Sequence, residues 1–541
     1  MKNAKKTFLF LAVLSFVLIA AGCGKKEAAQ SGGEVKSVVD FKGYPMDAED
    51  QTVTWLQLGG DALYSRFSSV NESPIHQNYS KMTGVRIEWI MPTAGATAAQ
   101  IYATTMASGD LPDIICFSGQ ATEAERLLSE NTIWDLSPYL ESYSPNYWKL
   151  LKENPVRDKA GKTDSGKYWR YSFFREEGPF EDTWVGPIVR KDWLDAQGLP
   201  MPKTIPDWDK TLQTFKDKYG AFLTLEPGFL RDHPGLCGAF GAYAGYAFSW
   251  YVDSNQKVNA AQAQPEWRDY MAKLHEWYQK GLLDPDHLTQ DQPTFRSKAV
   301  NGQTGLTIGA LSRVTQLVGD AAAANNGAEW VGAPYPRAAD GSITKTQGNW
   351  GVGGDSATIT TAVKPERLEL VMRVMDYGYS PEGFIFQNYG IEGESWERDA
   401  SGTIVWTPLV LNDPDFGNLR SLITKYSFQA GSNPGLQATH LVELINFPIT
   451  FEAGKIWFYE NEDAAYKSVL PPGMSYTVAE TDRITELTNA IMTYSAETAT
   501  GFVTGQVPLS EFDNFVARLK QMGLEEAQKI QQDSLDRYNS R

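Results

Sequence analysis

Cysteine is nearly absent from this chain: Cys23, Cys116 and Cys237 are the only three in 541 residues. They cannot build a disulfide framework or a four-thiolate zinc site. Histidine is almost as scarce. His76, His233, His275, His287 and His440 are scattered, with no His-Glu-x-x-His and no paired spacing suited to a catalytic metal. No Gly-x-Ser-x-Gly elbow and no phosphate loop occurs. Beyond the first two dozen residues, no apolar run approaches the roughly 20 residues that a membrane-spanning helix needs. Positive charge is in deficit, with 49 basic against 66 acidic residues and a net charge of -17. That balance repels both a phosphate backbone and an anionic bilayer, so nucleic acid is not an expected partner.

What is present is apolar substance. Hydrophobic residues make up 42% and aromatics 12% of the chain, enough for a core and too much for disorder. The length argues for more than one folded unit. At the start, Lys2, Lys5 and Lys6 precede an apolar run over residues 8–21 and then Gly22-Cys23, the basic, hydrophobic and small-residue order of an export signal. Ala20-Ala21-Gly22-Cys23 resembles the bacterial lipobox, with Ala20 where leucine is usual. That resemblance implies cleavage before Cys23 and a lipid on its sulfur. Residues 24–34 are small and polar and read as a flexible tether. Removal of residues 1–22, which hold three lysines and no acid, takes the charge from -17 to -20.

In the body, residues 51–58 and 85–91 read as strands around a helix-compatible stretch, 97–108 as a helix, and 113–117 as a buried strand. This β-α-β-α-β order predicts an α/β fold on a mainly parallel sheet, in which ligands bind beyond the carboxyl ends of the strands. A second α/β unit begins near Trp184. Its expected parts are a strand at 185–189, a helix from Lys191, a helix capped by Thr204, a helix over 265–279 and a strand at 305–310. Extended segments at 330–336 and 351–361 and a helix from Pro365 suggest return to the first unit. Two helical stretches close the chain, over 509–522 and 524–538.

Several of these residues resemble extracellular solute-binding proteins of ABC importers, the oligosaccharide-binding family 1. They are Thr83-Gly84-Val85-Arg86-Ile87-Glu88 followed by Ser108-Gly109-Asp110-Leu111-Pro112-Asp113, then Val189-Arg190-Lys191-Asp192-Trp193-Leu194, Gly281-Leu282-Leu283-Asp284-Pro285, and Tyr389-Gly390-Ile391-Glu392-Gly393-Glu394. The last is similar to a motif of the longer lipoprotein members, including alginate-oligosaccharide binders. The resemblance implies a two-lobed periplasmic-binding-protein-like fold (type II, multiple chain crossings) that closes on an oligosaccharide. It also implies a monomer, anchored to the membrane by lipid alone, that serves a permease and ATPase on separate chains. The expected division is 1–22 signal, 23–46 tether, 47–178 with 332–380 as lobe one, and 179–331 with 381–541 as lobe two. Long members carry a calcium loop after the second-lobe helix, but residues 215–222 lack alternating oxygen ligands. Asp284-Pro285-Asp286 and Asp413-Pro414-Asp415 are the close acid pairs of such spacing and read first as turns. No metal and no cofactor is expected.

A sugar binder offers flat rings to C–H faces and charged or amide groups to hydroxyls. Trp350, between glycines at the expected interlobe crossing, and Trp396, just after Glu392-Gly393, are the leading platforms. Trp184 and Trp250 follow. Asp61, Ser118 and Gln120 lie at first-lobe strand ends, Arg313 follows a second-lobe strand, and Glu392 sits in the motif itself. No carboxylate pair is singled out for glycoside hydrolysis. A surface-anchored polysaccharide-degrading enzyme is the alternative reading, and a structural lipoprotein a third.

Overall fold

Thr97 and Thr204 each close a capping box, accepting the backbone N–H of Gln100 and Asp207 while those side chains reach back to the cap. Local chemistry of this kind fixes several helix starts, and the strands between them carry the apolar residues. A computed structural model describes residues 36–58, 67–91, 97–117, 123–178, 183–225, 236–343, 351–413, 425–429, 433–445, 448–459 and 469–541. Cys23 and the tether before residue 36 therefore lie outside the described residues.

In chain order the first lobe opens with β1 (Ala48–Gln57), α1 (Pro74–Thr83), β2 (Val85–Ile90), α2 (Ala98–Ser108), β3 (Ile114–Cys116), α3 (Pro155–Ala160) and β4 (Tyr171–Arg175). The chain then enters the second lobe with β5 (Val185–Arg190), α4 (Ile205–Tyr219), β6 (Phe222–Leu225), the hairpin β7 (Trp250–Val252) and β8 (Val258–Ala260), α5 (Pro265–Gln279), β9 (Thr304–Ala310), α6 (Leu311–Ala324) and β10 (Trp330–Gly332). It returns through β11 (Val352–Ile359) and α7 (Pro365–Tyr377), makes a hairpin from β12 (Trp396–Arg398) and β13 (Ile404–Trp406), and adds β14 (Gly435–Gln437). Five helices complete it: α8 (Thr439–Leu444), α9 (Pro448–Tyr459), α10 (Val478–Thr504), α11 (Phe512–Gln521) and α12 (Leu524–Ser540).

The first sheet has the order β14-β4-β11-β3-β1-β2 and the second β10-β5-β9-β6. The first is mainly parallel, as expected, with β1, β2, β3, β4 and β14 running one way and β11 alone reversed; in the second, β5 alone is reversed. In the first, β1 runs parallel to β2 and β3, but β11 is antiparallel to both β3 and β4. In the second, β5 is antiparallel to β9 and β10, and β6 and β9 are parallel. The cause is topological. A strand that arrives from the other lobe enters at the edge where its neighbours end, so it must run against them. Gly435–Gln437 lies in the first sheet, beside β4, whereas the sequence reading puts all of 381–541 with lobe two.

Each sheet has its own core. Trp55, Tyr79, Tyr147, Phe174 and Met375 pack in the first. In the second, Trp208, Trp267, Trp277 and Leu306 pack together with Ile491 and Phe502 of α10. Such burial is the main favourable contribution to folding.

Candidate functional site

Pairing places Gln57 beside Cys116, Gln437 beside Arg175 and Val352 beside Phe174, so β1, β3, β4 and β14 end, and β11 begins, along one edge of the first sheet. In the second sheet Val185 lies beside Ala310 and Leu225 beside Ile308, so β6 and β9 end where β5 begins. Only residues 176–184 join β4 to β5, a span of at most about 30 Å when extended. That reach limits how far apart the two edges can lie.

Three crossings are stitched together. The Arg175 N–H donates to the Gly351 carbonyl at 2.9 Å and the Glu176 N–H to the Gln437 carbonyl at 3.0 Å. The Glu176 carboxylate accepts the Thr439 N–H at 2.9 Å, at the start of α8, where the helix dipole favours an anion. On the second-lobe side, Trp457 Nε1 donates to the carbonyls of Pro187 and Ala333 at 3.2 and 3.1 Å. Its ring lies so close to Gly186 that a Cβ there would come within 2.4 Å of it. Gly186 is thus a close-approach glycine.

Behind the first-sheet edge lies a set of buried amides that the sequence reading did not identify. Gln57 donates to Asn433 at 2.7 Å, Gln429 to the Gln387 side chain at 2.7 Å, and Gln437 to the Gln429 carbonyl at 3.0 Å. Gln429 Oε1 is buried without a hydrogen-bond partner among the described residues, as is Thr183 Oγ1 on the first crossing. Spare buried polar groups call for an explanation. Gln and Asn are too widely scattered in the sequence for any spacing to reveal this set.

The expected contact residues fare differently. Asp61, Ser118, Gln120 and Trp350 lie outside the described residues, on segments that follow β1, follow β3 and precede β11. Trp184 sits on the first crossing; its carbonyl accepts the Leu311 N–H at 2.9 Å, and its half-buried ring packs where two second-lobe clusters meet. Trp250 meets Phe248 edge-on at 4.9 Å, while its neighbour Tyr251 lies flat on Tyr243 at 3.9 Å. Burial pushes the Tyr251 hydroxyl up to about 12, so it stays neutral and can donate.

Two expectations are corrected. Trp396 is 4% exposed and packs with Tyr389, Ile404, Trp406 and Leu441, its Nε1 donating to the Gly390 carbonyl at 3.2 Å. It is the core of the β12–β13 hairpin rather than an open platform. Glu392 is exposed on the turn that folds this ring inward. Arg313, 7% exposed, donates to the side chains of Gln292 and Gln316 and lies 4.9 Å above the Phe295 ring. These contacts brace the start of α6.

At the region expected for a calcium loop, α4 ends at Gly220 in the left-handed region (φ 68°) and β6 starts at Phe222, leaving no room for twelve loop residues. The acid pair elsewhere is already occupied: Lys298 Nζ lies 2.8 and 2.9 Å from the Asp284 oxygens and 3.1 Å from Asp286. Burial opposes the Lys298 charge, but its hydrogen bonds to these two carboxylates hold its pKa above the ordinary lysine value. Asp413 likewise accepts from Lys425 at 2.7 Å.

No profile of a known protein family matches the chain. Among curated proteins it is 23% identical over 531 residues to the lipoprotein LipO of Bacillus subtilis, covering 95% of each chain. It is 24% identical over 413 residues to the fructooligosaccharide ABC transporter substrate-binding protein FusA of Streptococcus pneumoniae, covering 73% of each. The polygalacturonan/rhamnogalacturonan-binding protein YtcQ of Bacillus subtilis is 23% identical over 415 residues, covering 74% of this chain and 76% of that one. Among solved structures, the alginate-binding protein AlgQ2 without calcium ion superposes with a TM-score of 0.72 at 19% identity, over 93% of this chain and all of that one. FusA in complex with kestose gives 0.72 at 20% identity, over 91% of this chain and all of that one. The two-lobed α/β fold that the sequence implies is the fold of these neighbours.

Proposed function

We propose that this chain is the substrate-binding component of an ABC importer: a lipid-anchored extracytoplasmic protein that takes an oligosaccharide between its lobes and hands it to a permease. The observation that carries the reading is similarity over 73% of the chain to an ABC transporter substrate-binding protein, whose fold matches over 91% of it, joined to a geometry in which both sheets present strand ends to the crossing segments. Relatives described as sugar binders rather than hydrolases support a binder over an enzyme.

The mechanism follows from the hinge. Arg175, Glu176, Gly351 and Thr439 tie the crossings to one another, so the lobes turn about a stitched segment instead of separate tethers. A ligand touching both edges favours the closed state in proportion to its differential affinity, and that difference alone shifts the population. Asp61, Ser118, Gln120, Trp184, Trp250 and Trp350 are the proposed contacts. Lobe one is built on residues 47–178 and 332–380 with the strand at 435–437, and the body works as a monomer. Permease and ATPase are separate chains, and Cys23 carries the lipid. A thermal-shift screen against fructo-, galacturono- and alginate-derived oligosaccharides tests the reading, because ligand at about 100 times its Kd adds roughly 2.7 kcal/mol. One class should raise the melting temperature in a saturable way, and silence across every class would sink the proposal.

A further inference from the structure

Away from the strand ends lies a cavity of about 260 Å3 whose wall is shared by both lobes. The first lobe supplies Val156 and Lys159 of α3. The second supplies Val252 of the β7–β8 hairpin and Leu535 and Tyr538 of α12, and Pro471 closes the floor. No lining residue belongs to the strand-end edges or to the three crossings described above. An apolar protein cavity of about 150 Å3 is enough to hold benzene, so this volume takes a ring with a short chain.

The wall carries one cation. Lys159 Nζ donates to the carbonyls of Tyr538 and Asn539, both at 3.2 Å, and lies 5.2 Å from the centre of the Tyr538 ring, with no carboxylate partner among the described residues. An ammonium has three N–H donors, so one remains for an incoming group. Beside the cavity the two lobes are fastened by ions. Asp164 of the first lobe holds Arg537 at 2.5 Å and Arg541, both from the end of α12, and Arg537 also meets Glu480 of α10 at 2.7 Å. Any turn of one lobe against the other around this fastening changes the shape of a cavity that both lobes line.

We propose that the cavity is a second ligand site, for a small apolar carboxylate, and that its occupancy is coupled to lobe closure and hence to sugar affinity. The molecule buries its ring or chain against Val156, Val252, Leu535 and Tyr538 and presents its carboxylate to Lys159. A ligand that fits one lobe arrangement better than the other shifts the sugar's affinity, and the sugar must shift its affinity by the same factor. The coupling rests on the sugar-binding reading; occupancy of the cavity does not.

The test uses the mature chain and 3-phenylpropionate, with 3-phenylpropanol as its uncharged match. Calorimetry without sugar should show one saturable site for the carboxylate. Lys159→Met should weaken the carboxylate at least tenfold and leave the alcohol almost unchanged. Val252→Trp, which fills the cavity, should abolish both, and Val156→Trp serves if that variant does not fold. Absence of saturable binding, or binding indifferent to Lys159→Met and to the filling variants, overturns the site. A sugar affinity that stays constant while the cavity is saturated overturns the coupling. Because cavity binding is read without sugar, failure of the sugar reading would be recognised separately.

Discussion

Lys298 occupies the place a cation would take between Asp284 and Asp286, and the Asp284 side chain has 0% exposure. Removing one partner from a buried pair leaves the other charge unpaired, which typically costs about 3–5 kcal/mol. Lys298→Met should therefore lower unfolding stability by that order in urea, and chelator should leave the parent protein's melting temperature unchanged. A chelator-sensitive parent restored by calcium would contradict this. Two buried titrating groups in the first lobe act in opposite senses. Burial raises Asp376 to about 6 against hydrogen bonds from Tyr147 and Asn146, and burial lowers His76 to about 3. A raised carboxylate gives stability that is present at low pH and lost as pH rises from about 4 to about 6. A depressed histidine gives stability that is present above about 6.5 and lost as pH falls toward 3. Each slope is about 1.4 kcal/mol per pH unit where it applies, so the two offset one another between pH 4 and 6. Asp376→Asn should expose the histidine slope there, with stability falling steadily on acidification. A flat profile for that variant would show that the buried histidine does not govern the window.

At the scale of elements, Trp457 fastens α9 to β5 and to the connection after β10, so Trp457→Ala should cost about 3–5 kcal/mol. Trp396→Ala should do the same through the β12–β13 core while leaving sugar affinity intact. Trp350→Ala should behave inversely, with affinity falling by about 1–3 kcal/mol and the melting curve unmoved. Calorimetry beside melting curves for the last pair separates core rings from contact rings, and matching behaviour would refute the assignment. Helices with caps were legible: Thr204 caps α4 as read from the sequence, and the helix expected over 97–108 starts at the Thr97 capping box. The 27-residue α10 was not. Its threonines read as poor helix formers, yet Thr481, Thr485, Thr498 and Thr504 each return the hydroxyl to the carbonyl four residues back. Strand β4 was missed because its residues are buried on both faces, leaving no alternation to read. Trp396 was misjudged on its nearness to the Glu392-Gly393 motif, whereas its Nε1 donates to the Gly390 carbonyl and the ring is folded inward. The amides at the strand ends come from β1, the helix Pro381–Tyr389, residues 429 and 433 and β14, which only the fold brings together.

For the whole molecule, the proposed anchor rests on Cys23. Cys23→Ser should release the protein from the cell surface or leave it unprocessed, and fractionation that finds a processed, acylated chain still on the membrane would refute the lipid site. Removal of residues 1–22 would leave a chain of charge -20, which anionic lipid would repel. The central claim is that this body holds an intact oligosaccharide, one per chain. Native mass spectrometry of the mature protein in a pool of fructo-, galacturono- and alginate-derived oligosaccharides tests it most directly. The account predicts a one-to-one complex whose added mass equals that of an unmodified pool member. A spectrum without any complex, or one in which the bound and released masses are cleavage products, would contradict it.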